Sequence, residues 1–361
     1  MESLTRFPTG IVIQPTTLCN LNCSYCYLPH RTLNKRMSPL LAAKIAAEID
    51  ENATAPLLLM WHGGEPLATG YDHFSRLLQP FVPLVESGRL LHNVQTNATL
   101  LDDRWCELLT QHRFTVGVSI DGPMWATAER VDWQSRAAYP RIIRGIKLLS
   151  ERGFPFSIIA VVTAETLAHA TELYEFFVDL GPASLGINIE EMENANTQQR
   201  IRDDEAVHRF WADLFTAWKA DPRLHIREFQ RALSYMEDVC SGSHVGVDGD
   251  PPLPTIGYNG DVVLLAPELA GAHAPQYNDF IVGNVAETPL SEVMQRGLSA
   301  RYVRDYNRGV ARCRETCPYF GFCPGGSASN KFFETGSTDA TETANCRRAR
   351  KIVLDTMIAA L

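Results

Sequence analysis

The sequence contains no uninterrupted apolar run of about 18 residues, the length that a membrane-spanning helix needs. Its N-terminus also lacks the charged, then apolar, then small-residue pattern of an export signal. Basic residues are not in excess, since 33 Lys and Arg stand against 42 Asp and Glu, giving a net charge of −9. This charge argues against a general electrostatic attraction to nucleic acid, although a local basic pocket stays possible. These absences predict a soluble cytoplasmic protein that binds neither membranes nor nucleic acid.

The composition is that of a globular protein. The chain has 361 residues, of which 45 % are hydrophobic and 21 % charged, so it can form one large domain or two. Seven of its nine cysteines fall into one group of three and one group of four. In a reducing compartment such groups favour metal binding over disulfides.

Short apolar runs alternate with amphipathic segments over the first two-thirds of the chain. The predicted strands cover residues 10–15, 57–61, 91–95, 114–120, 156–162 and 184–189. The predicted helices cover residues 39–50, 71–85, 102–111, 139–152, 168–180 and 203–219. This α/β alternation predicts a parallel sheet with right-handed crossovers. The six units favour a partial (β/α)6 TIM barrel over a complete barrel, but periodicity alone leaves an open doubly wound sheet possible.

The first group of cysteines, Cys19, Cys23 and Cys26, has the spacing C-x3-C-x2-C and follows the first predicted strand. A [4Fe–4S] cluster normally takes four thiolates, so three would leave one iron without a protein ligand. An open coordination position is where a bound metal does chemistry. A zinc knuckle or a set of unligated thiols is the alternative interpretation.

This cysteine run, with Tyr25 directly before its last member, resembles the signature of the radical S-adenosylmethionine (SAM) superfamily. The resemblance implies that the open iron chelates the amino and carboxylate groups of SAM. It further implies that one electron from the cluster splits the sulfonium into methionine and a 5′-deoxyadenosyl radical. It also favours the partial barrel over the doubly wound sheet.

Barrel folds place their chemistry at the C-terminal ends of the strands, where this sequence has several polar motifs. The second predicted strand ends in Trp61-His62-Gly63-Gly64-Glu65-Pro66, which resembles the superfamily's GGEP motif and implies binding of the SAM amino group. By resemblance, Ser119 contacts ribose. For Asn97 and Asp121, capping or turn formation explains the residue as well as ligand contact does. For the pair Glu190-Glu191, a solvated helix start is as good an explanation as two carboxylates that face SAM or substrate. The predicted cofactor contacts are Tyr25, Gly63, Gly64, Glu65, Pro66, Asn97, Ser119 and Glu190.

The second group comprises Cys313, Cys317, Cys323 and Cys346, and four thiolates satisfy either a closed [4Fe–4S] cluster or a structural zinc ion. This segment resembles the SPASM domain, a C-terminal extension of peptide-modifying radical SAM enzymes that usually carries two auxiliary clusters. Here Ser327 and Leu265 occupy positions where that domain has cysteines, and only Cys240 remains near the first auxiliary site. We therefore predict one SAM-binding and one auxiliary cluster, with Cys106 and Cys240 as buried, unreactive thiols.

Segments 278–285 and 318–326 make the resemblance more specific, because they resemble the GRRM-type (glycine-rich repeat maturation) and cyclophane-forming branch over residues 8–355. We expect a radical SAM barrel over 8–225 and a bridging helix with a SPASM- or twitch-like iron–sulfur domain over 226–361. The resemblance implies an enzyme that removes a Cβ hydrogen from a ribosomal precursor peptide and joins that carbon to an aromatic ring. It also implies an electron donor such as flavodoxin or ferredoxin. Because the first strand begins so early, no N-terminal leader-binding module is expected.

Rearomatisation of the ring would require the loss of one electron and one proton. The auxiliary cluster is the expected acceptor of the electron, and a carboxylate is the expected acceptor of the proton. Candidate bases are Asp248, Asp261, Glu268 and Asp279, although loop turns and surface charge explain each one as well. Competing functions are sulfatase formylglycine maturation, thioether formation, and a non-catalytic iron–sulfur or zinc protein.

Overall fold

The computed structural model describes residues 7–243 and 253–360, which share one nine-stranded sheet. Six parallel strands form its larger part and stand in chain order, with each strand paired to the next. A doubly wound sheet would reverse its strand order at a switch point, so the consecutive order confirms the partial barrel. These strands are β1 (Gly10–Ile13), β2 (Leu57–Trp61), β3 (Leu90–Thr96), β4 (Phe114–Ser119), β5 (Phe156–Val162) and β6 (Ser184–Ile189).

A helical segment follows each of these strands, as the sequence predicts. The first begins after Ser38, whose hydroxyl accepts a hydrogen bond from the amide of Leu41 at 3.1 Å and caps the helix. The segment predicted as one helix over 71–85 is divided by a 3-10 turn because Pro80 and Pro83 lack the amide donors that a continuous helix requires. The helices are α1 (Pro39–Asn52), α2 (Tyr71–Leu78), α3 (Val82–Glu86), α4 (Asp103–Gln111), α5 (Tyr139–Glu151), α6 (Ala170–Leu180) and α7 (Asp204–Ala220).

The C-terminal third extends the same sheet beyond β1. Strand β7 (Thr255–Ile256) pairs in parallel with β1, and β8 (Asp261–Val263) and β9 (Ile281–Asn284) follow in antiparallel order. One sheet therefore runs through both predicted domains, and the boundary between residues 225 and 226 stays a prediction. The remaining helices are α8 (Arg227–Ser241), α9 (Leu290–Gly297), α10 (Arg301–Thr316), α11 (Ala328–Thr335), α12 (Ala344–Cys346) and α13 (Ile352–Ala360).

The two isolated cysteines differ in environment. Cys106 is buried, as predicted, but Cys240 is exposed. The prediction for Cys240 is wrong because this residue lies in the last turn of α8, whose buried side chains are all near its N-terminus. None of the described helices combines the length and the apolar character needed to cross a bilayer.

Candidate active site

The first three cysteines lie in the loop between β1 and α1, at the C-terminal mouth of the barrel. Cys23 is buried, and Cys19 and Cys26 are half-buried. The following segment holds the loop in place, because the Cys19 amide donates to the carbonyl of Arg31 at 2.9 Å and the Arg31 guanidinium donates to the carbonyl of Cys23 at 3.2 Å. The three sulfurs are close enough to interact electrostatically.

The protonation behaviour of these thiols fits binding to the positively charged core of an iron–sulfur cluster. Burial raises the pKa of Cys23 to about 11 and raises that of Cys19 further; Cys26 adds to the rise for both, and Cys23 adds to that of Cys19. Because the thiolate is the ligand form, iron would supply the charge that keeps these sulfurs deprotonated. Among the described residues, no three His, Cys, Asp or Glu side chains are spaced to share one metal ion. A four-iron cluster does not need that spacing, because its thiolates bind different irons.

Tyr25 anchors the cysteine loop to the neighbouring strands. Its hydroxyl donates to Asp121, whose carboxylate also accepts two hydrogen bonds from Arg130, both at 2.8 Å, and one from the amide of Val161 at 2.9 Å. Burial raises the pKa of Tyr25 well above its ordinary value, so the hydroxyl stays a donor. Asp121 thus joins the loop, the end of β4 and strand β5. The contact of Tyr25 with SAM stays a prediction.

The Gly-Gly-Glu-Pro turn after β2 packs directly against the cysteine loop. Gly64 has φ +64°, and a Cβ there would lie 2.6 Å from the carbonyl oxygen of Leu18 and 2.7 Å from that of Thr16. Only glycine fits this close approach of two backbones. Gly63 has φ +93°, and Pro66 begins a short 3-10 turn. The turn therefore lies against the cysteine loop, where a cofactor bound to the cluster would be found.

Glu65 is buried, and its carboxylate connects three segments at the barrel mouth. One oxygen accepts hydrogen bonds from the Thr96 hydroxyl at 2.6 Å and the Leu67 amide at 3.1 Å, and the other accepts one from the Asn97 amide at 2.8 Å. Burial raises the pKa of Glu65 to about 7, although the bonds from Thr96 and Asn97 lower it. The side chain stabilises the turn and the end of β3. Its predicted bond to the SAM ammonium would have to use the remaining acceptor capacity.

Asn97 and Ser119 lie at the ends of neighbouring strands but differ in the number of hydrogen bonds that their side chains already form within the protein. The Asn97 carbonyl accepts from the amide and hydroxyl of Thr99 at 3.0 and 2.6 Å, and its amide donates to Asn20 at 2.9 Å. These bonds favour the turn-forming interpretation for Asn97. Ser119 accepts one hydrogen bond from Gln95 at 2.9 Å and is only half-buried, so its hydroxyl is still able to donate to a ligand.

Glu190 follows β6 and is buried. One of its oxygens accepts a 2.7 Å hydrogen bond from Arg200, which also donates to Glu129 at 2.7 Å. The other oxygen has no partner among the described residues. Burial raises the pKa of Glu190, and Arg200 lowers it. The arginine neutralises this carboxylate, so contact between Glu190 and SAM stays a prediction.

Three further carboxylates, Glu191, Glu193 and Glu268, interact with one another beside the end of β6, and we call them the carboxylate cluster. Burial raises the pKa of Glu191 to about 7 and also raises those of Glu193 and Glu268, and mutual repulsion adds to the rise for Glu191 and Glu193. Tyr27, the residue after Cys26, interacts with Glu193 and Glu268 and forms a 2.7 Å hydrogen bond with His62. The carboxylate cluster therefore adjoins the cysteine loop.

The other candidate bases lie elsewhere. Asp261 accepts hydrogen bonds from Asn259 at 2.6 Å and Asn284 at 2.8 Å within the β8–β9 ladder. Asp279 accepts the Ala274 amide at 2.7 Å in a surface turn. Asp248 falls outside the described residues. Of the four candidates, Glu268 is the one that the described structure brings to the barrel mouth.

The four C-terminal cysteines line one cavity of about 140 Å³, which is far larger than a single water molecule requires. Cys313 and Cys317 lie at the end of α10, and Cys346 lies in α12. The thiols of Cys323 and Cys346 hydrogen-bond to each other, and the Cys313 thiol donates to the carbonyl of Thr341 at 3.3 Å. The cavity and its four sulfurs fit a closed cluster. We refer to this cavity as the auxiliary site.

A buried lysine beside the auxiliary site supports an anionic occupant. Lys331, in α11, is 1 % exposed, and its ammonium has no hydrogen-bond partner among the described residues. The ammonium interacts electrostatically with Cys313, Cys323 and Cys346. Burying a cation is costly unless a negative charge compensates it. A cluster held by four thiolates would supply that negative charge.

The positions that lack the expected cysteines have structural roles. Ser327 is the N-cap of α11, and its hydroxyl accepts the amide of Ser329 at 3.3 Å. Leu265 has φ +77°, a left-handed conformation that is unusual for a branched residue. Neither side chain can replace a thiolate, so the described residues support one auxiliary site.

Four residues of the site were not predicted from the sequence: Glu193, Tyr27, Arg130 and Lys331. Tyr27 follows Cys26 directly, and Glu193 lies two positions after Glu191, so proximity to known motifs was the available signal for both. Arg130 and Lys331 contribute to the site because they are buried. Lysine and arginine are usually exposed, so their burial could not be expected from the sequence.

Comparison with known proteins gives a consistent assignment. Residues 13–177 match the sequence model of the radical SAM superfamily. Over 99 % of its length the chain is 34 % identical to an uncharacterized protein of Synechocystis sp., of which it covers 94 %. It is also 25 % identical to a cysteine-type anaerobic sulfatase-maturating enzyme of Clostridium perfringens, over 88 % of each chain.

Two solved structures share the fold. Native anSMEcpe with bound AdoMet and the Cp18Cys peptide superposes with a TM-score of 0.79 at 20 % identity over 97 % of each chain. Streptococcus suis SuiB bound to its precursor peptide SuiA superposes with a TM-score of 0.65 at 18 % identity, over 94 % of this chain and 76 % of SuiB.

Proposed function

The chain belongs to the radical SAM superfamily, and on that premise we propose that it joins a Cβ carbon of a ribosomal precursor peptide to an aromatic ring of the same peptide. It is a radical SAM enzyme that uses SAM and [4Fe–4S] clusters. Cys19, Cys23 and Cys26 would hold the SAM-binding cluster, and the four cysteines of the auxiliary site would hold the second. When bound, these groups supply the radical that removes the Cβ hydrogen and an acceptor for the electron released on ring closure.

One observation carries this proposal: helix α11 connects the carboxylate cluster to the auxiliary site. The Asn330 amide donates to Glu191 and, at 3.0 Å, to Glu193. The next residue, Lys331, interacts with three of the auxiliary cysteines. A crosslink to an aromatic ring must lose a proton and an electron when the ring regains aromaticity. Acceptors for both therefore adjoin one short helix.

Within the carboxylate cluster, Glu268 is the proposed proton acceptor. Its pKa is raised by burial, so it is a stronger base than an exposed carboxylate, and it interacts with Tyr27 beside the cysteine loop. Glu191 and Glu193 are each held by hydrogen bonds from α11. The Glu268 carboxylate instead accepts a hydrogen bond from its own backbone amide. Glu191 and Glu193 interact electrostatically with Glu268, and burial keeps the affinity of Glu268 for a proton high.

The proposed substrate is a peptide. The fold shared with two peptide-bound structures supports this part of the proposal. The test is to co-express the enzyme with a precursor peptide encoded beside its gene and to analyse the peptide by tandem mass spectrometry. The expected product has lost two hydrogen atoms per crosslink and does not fragment between the joined residues. An unchanged peptide, obtained while SAM is still cleaved to 5′-deoxyadenosine, would contradict the crosslinking proposal.

Sulfatase formylglycine maturation is the second candidate, favoured by the similarity to the Clostridium perfringens enzyme over 88 % of each chain. Oxidation of a cysteine to formylglycine replaces sulfur by oxygen and is recognised by mass. Oxidation of a serine removes two hydrogen atoms, as crosslinking does, so mass alone does not separate those two reactions. Hydroxylamine does, because it captures an aldehyde and leaves a carbon–carbon crosslink unchanged. Ser327 and Leu265 count against this candidate, since the resemblance implies that sulfatase maturases keep the cysteines of both auxiliary clusters.

A further inference from the structure

An exposed tryptophan lies one hydrogen bond from the first cysteine of the SAM-cluster loop. The indole N–H of Trp133 donates to the carbonyl oxygen of Cys19 at 2.8 Å, and 40 % of this residue is exposed. Tryptophan is enriched at protein interfaces relative to the rest of the protein surface. Through this bond, the protein surface is connected to a cluster ligand by a continuous path of covalent and hydrogen bonds.

The segment that pairs with the cysteine loop is positively charged although the protein is acidic. Between Glu2 and Glu48 the sequence has no Asp or Glu, whereas the whole chain has a net charge of −9. The Arg31 guanidinium lies 5.8 Å from the Trp133 ring centroid, and Lys35 and Arg36 are exposed. The backbone of this segment pairs with the cysteine loop, since the Thr17 amide donates to the Lys35 carbonyl at 3.1 Å.

The nearby acidic residues do not cancel this charge. Asp132 is ion-paired with Arg136 at 2.9 Å and with Arg141 at 3.1 Å, which leaves one positive charge in excess within that group. Glu129 shares Arg200 with Glu190, so that group carries one negative charge. This charge offsets the excess of the Asp132 group and leaves the charges of Arg31, Lys35 and Arg36. We call the surface formed by Arg31, Lys35, Arg36, Trp133 and Arg136 the basic edge.

We propose that the basic edge binds an acidic electron-carrier protein, a small flavoprotein of the flavodoxin type, which reduces the SAM-binding cluster through Trp133 and Cys19. The flavin hydroquinone anion gives up one electron and becomes the neutral semiquinone, and the cluster passes from its 2+ to its 1+ state, so no proton moves. Charge complementarity steers such a partner to the correct face of the protein. The proposal rests on the SAM-binding cluster and not on the crosslinking reaction, so failure of either leaves the other intact.

The test measures reduction of the reconstituted, two-cluster protein by an acidic flavodoxin hydroquinone in an anaerobic stopped-flow instrument. The double variant Lys35→Glu/Arg36→Glu reverses two exposed charges. The control Lys147→Glu/Arg209→Glu makes the same change in net charge on α5 and α7, away from the cysteine loop. Semiquinone formation gives the second-order rate constant at several ionic strengths, and reduction with dithionite shows that both clusters are intact.

We expect the basic-edge variant to lose about tenfold or more in the rate constant at low salt, and to lose most of the salt dependence. The control should stay within about twofold of the unmodified protein, since it lies outside the proposed contact. Equal rates for all three proteins, or equal slowing in both variants, would overturn the docking surface.

Trp133→Phe tests the route separately, because phenylalanine keeps an aromatic ring but removes the N–H that reaches Cys19. We expect a slower limiting rate at saturating flavodoxin, with unchanged salt dependence and full reduction by dithionite. An unchanged limiting rate would overturn the role of Trp133.

Discussion

Replacing Asp121 by asparagine tests how the cysteine loop is held at the barrel mouth. Asp121 is 1 % exposed and is the ion-pair partner of Arg130, whose side chain is 8 % exposed. The asparagine side chain has one oxygen to serve Arg130 and the Val161 amide, and its NH2 group would face donors. Arg130 would thus keep its charge in a buried position without a counterion.

Removing one partner of a buried ion pair typically costs about 3–5 kcal/mol. We expect a value near the lower limit, about 3 kcal/mol, because the Tyr25 hydroxyl can turn to accept a hydrogen bond from the new NH2 group. The comparison is Asp103→Asn, which breaks an ion pair with Arg152 whose side chains are 71 % and 36 % exposed. Breaking such an exposed pair should change the stability little, because both charges are solvated and screened.

The assay is anaerobic urea unfolding of the reconstituted protein, followed by circular dichroism, with the iron content of each variant measured in parallel. A shift of the midpoint at constant slope gives the change in the free energy of unfolding. Asp121→Asn/Arg130→Met should recover part of the loss, because it removes the unpaired charge. The reasoning is refuted if Asp121→Asn destabilises the protein no more than Asp103→Asn does.

Four other changes have defined outcomes. Glu65→Gln should destabilise the protein by about 1–3 kcal/mol in the same urea assay, because its NH2 group must face an amide donor of Asn97 or Leu67; no destabilisation would contradict the assigned bonds. The raised pKa of Glu191, about 7, means that its protonated form is favoured in the fold, so its contribution to stability is lost as pH rises from about 5 through 7. The urea midpoints at pH 5 and pH 8 should therefore differ less in Glu191→Gln than in the unmodified protein. An equal difference in both proteins would contradict the raised pKa of Glu191. Lys331→Met should lower the midpoint potential of the auxiliary cluster by about 60 mV or more, a tenfold change for one electron, because a buried positive charge favours the reduced cluster. An EPR-monitored redox titration measures this shift, with the SAM-binding cluster as internal control. Glu268→Gln should slow crosslink formation by about 100-fold or more while 5′-deoxyadenosine is still produced, and equal product yields in mass spectrometry would exclude Glu268 as the base.

The sequence predicted the elements whose physical cause is local. Alternation of apolar runs with amphipathic segments identified the six strands and their helices, and cysteine spacing identified both groups of thiols. Prolines at positions 80 and 83 divide a predicted helix, an effect that was also visible in the sequence but was outweighed by the apolar periodicity.

Properties that depend on tertiary packing could not be predicted in the same way. Glu65 was expected to face a ligand, yet its bonds to Thr96 and Asn97 exist only because β2 and β3 are neighbours in the sheet. Burial of Lys331 arises from the packing of α11 beside the auxiliary site, and no local pattern indicates it. The choice of Glu268 among the three described candidate carboxylates likewise required the position of residue 268 relative to β6.

The proposed chemistry requires an iron atom that Cys19, Cys23 and Cys26 leave open for SAM. The most direct measurement is the EPR spectrum of the dithionite-reduced protein with and without SAM, compared with a variant in which these three cysteines are alanine. We predict that SAM changes the spectrum of the unmodified protein, and that the variant keeps only an auxiliary-cluster signal that SAM does not affect. A spectrum of the unmodified protein that SAM leaves unchanged, or a variant that still responds to SAM, would contradict the central claim.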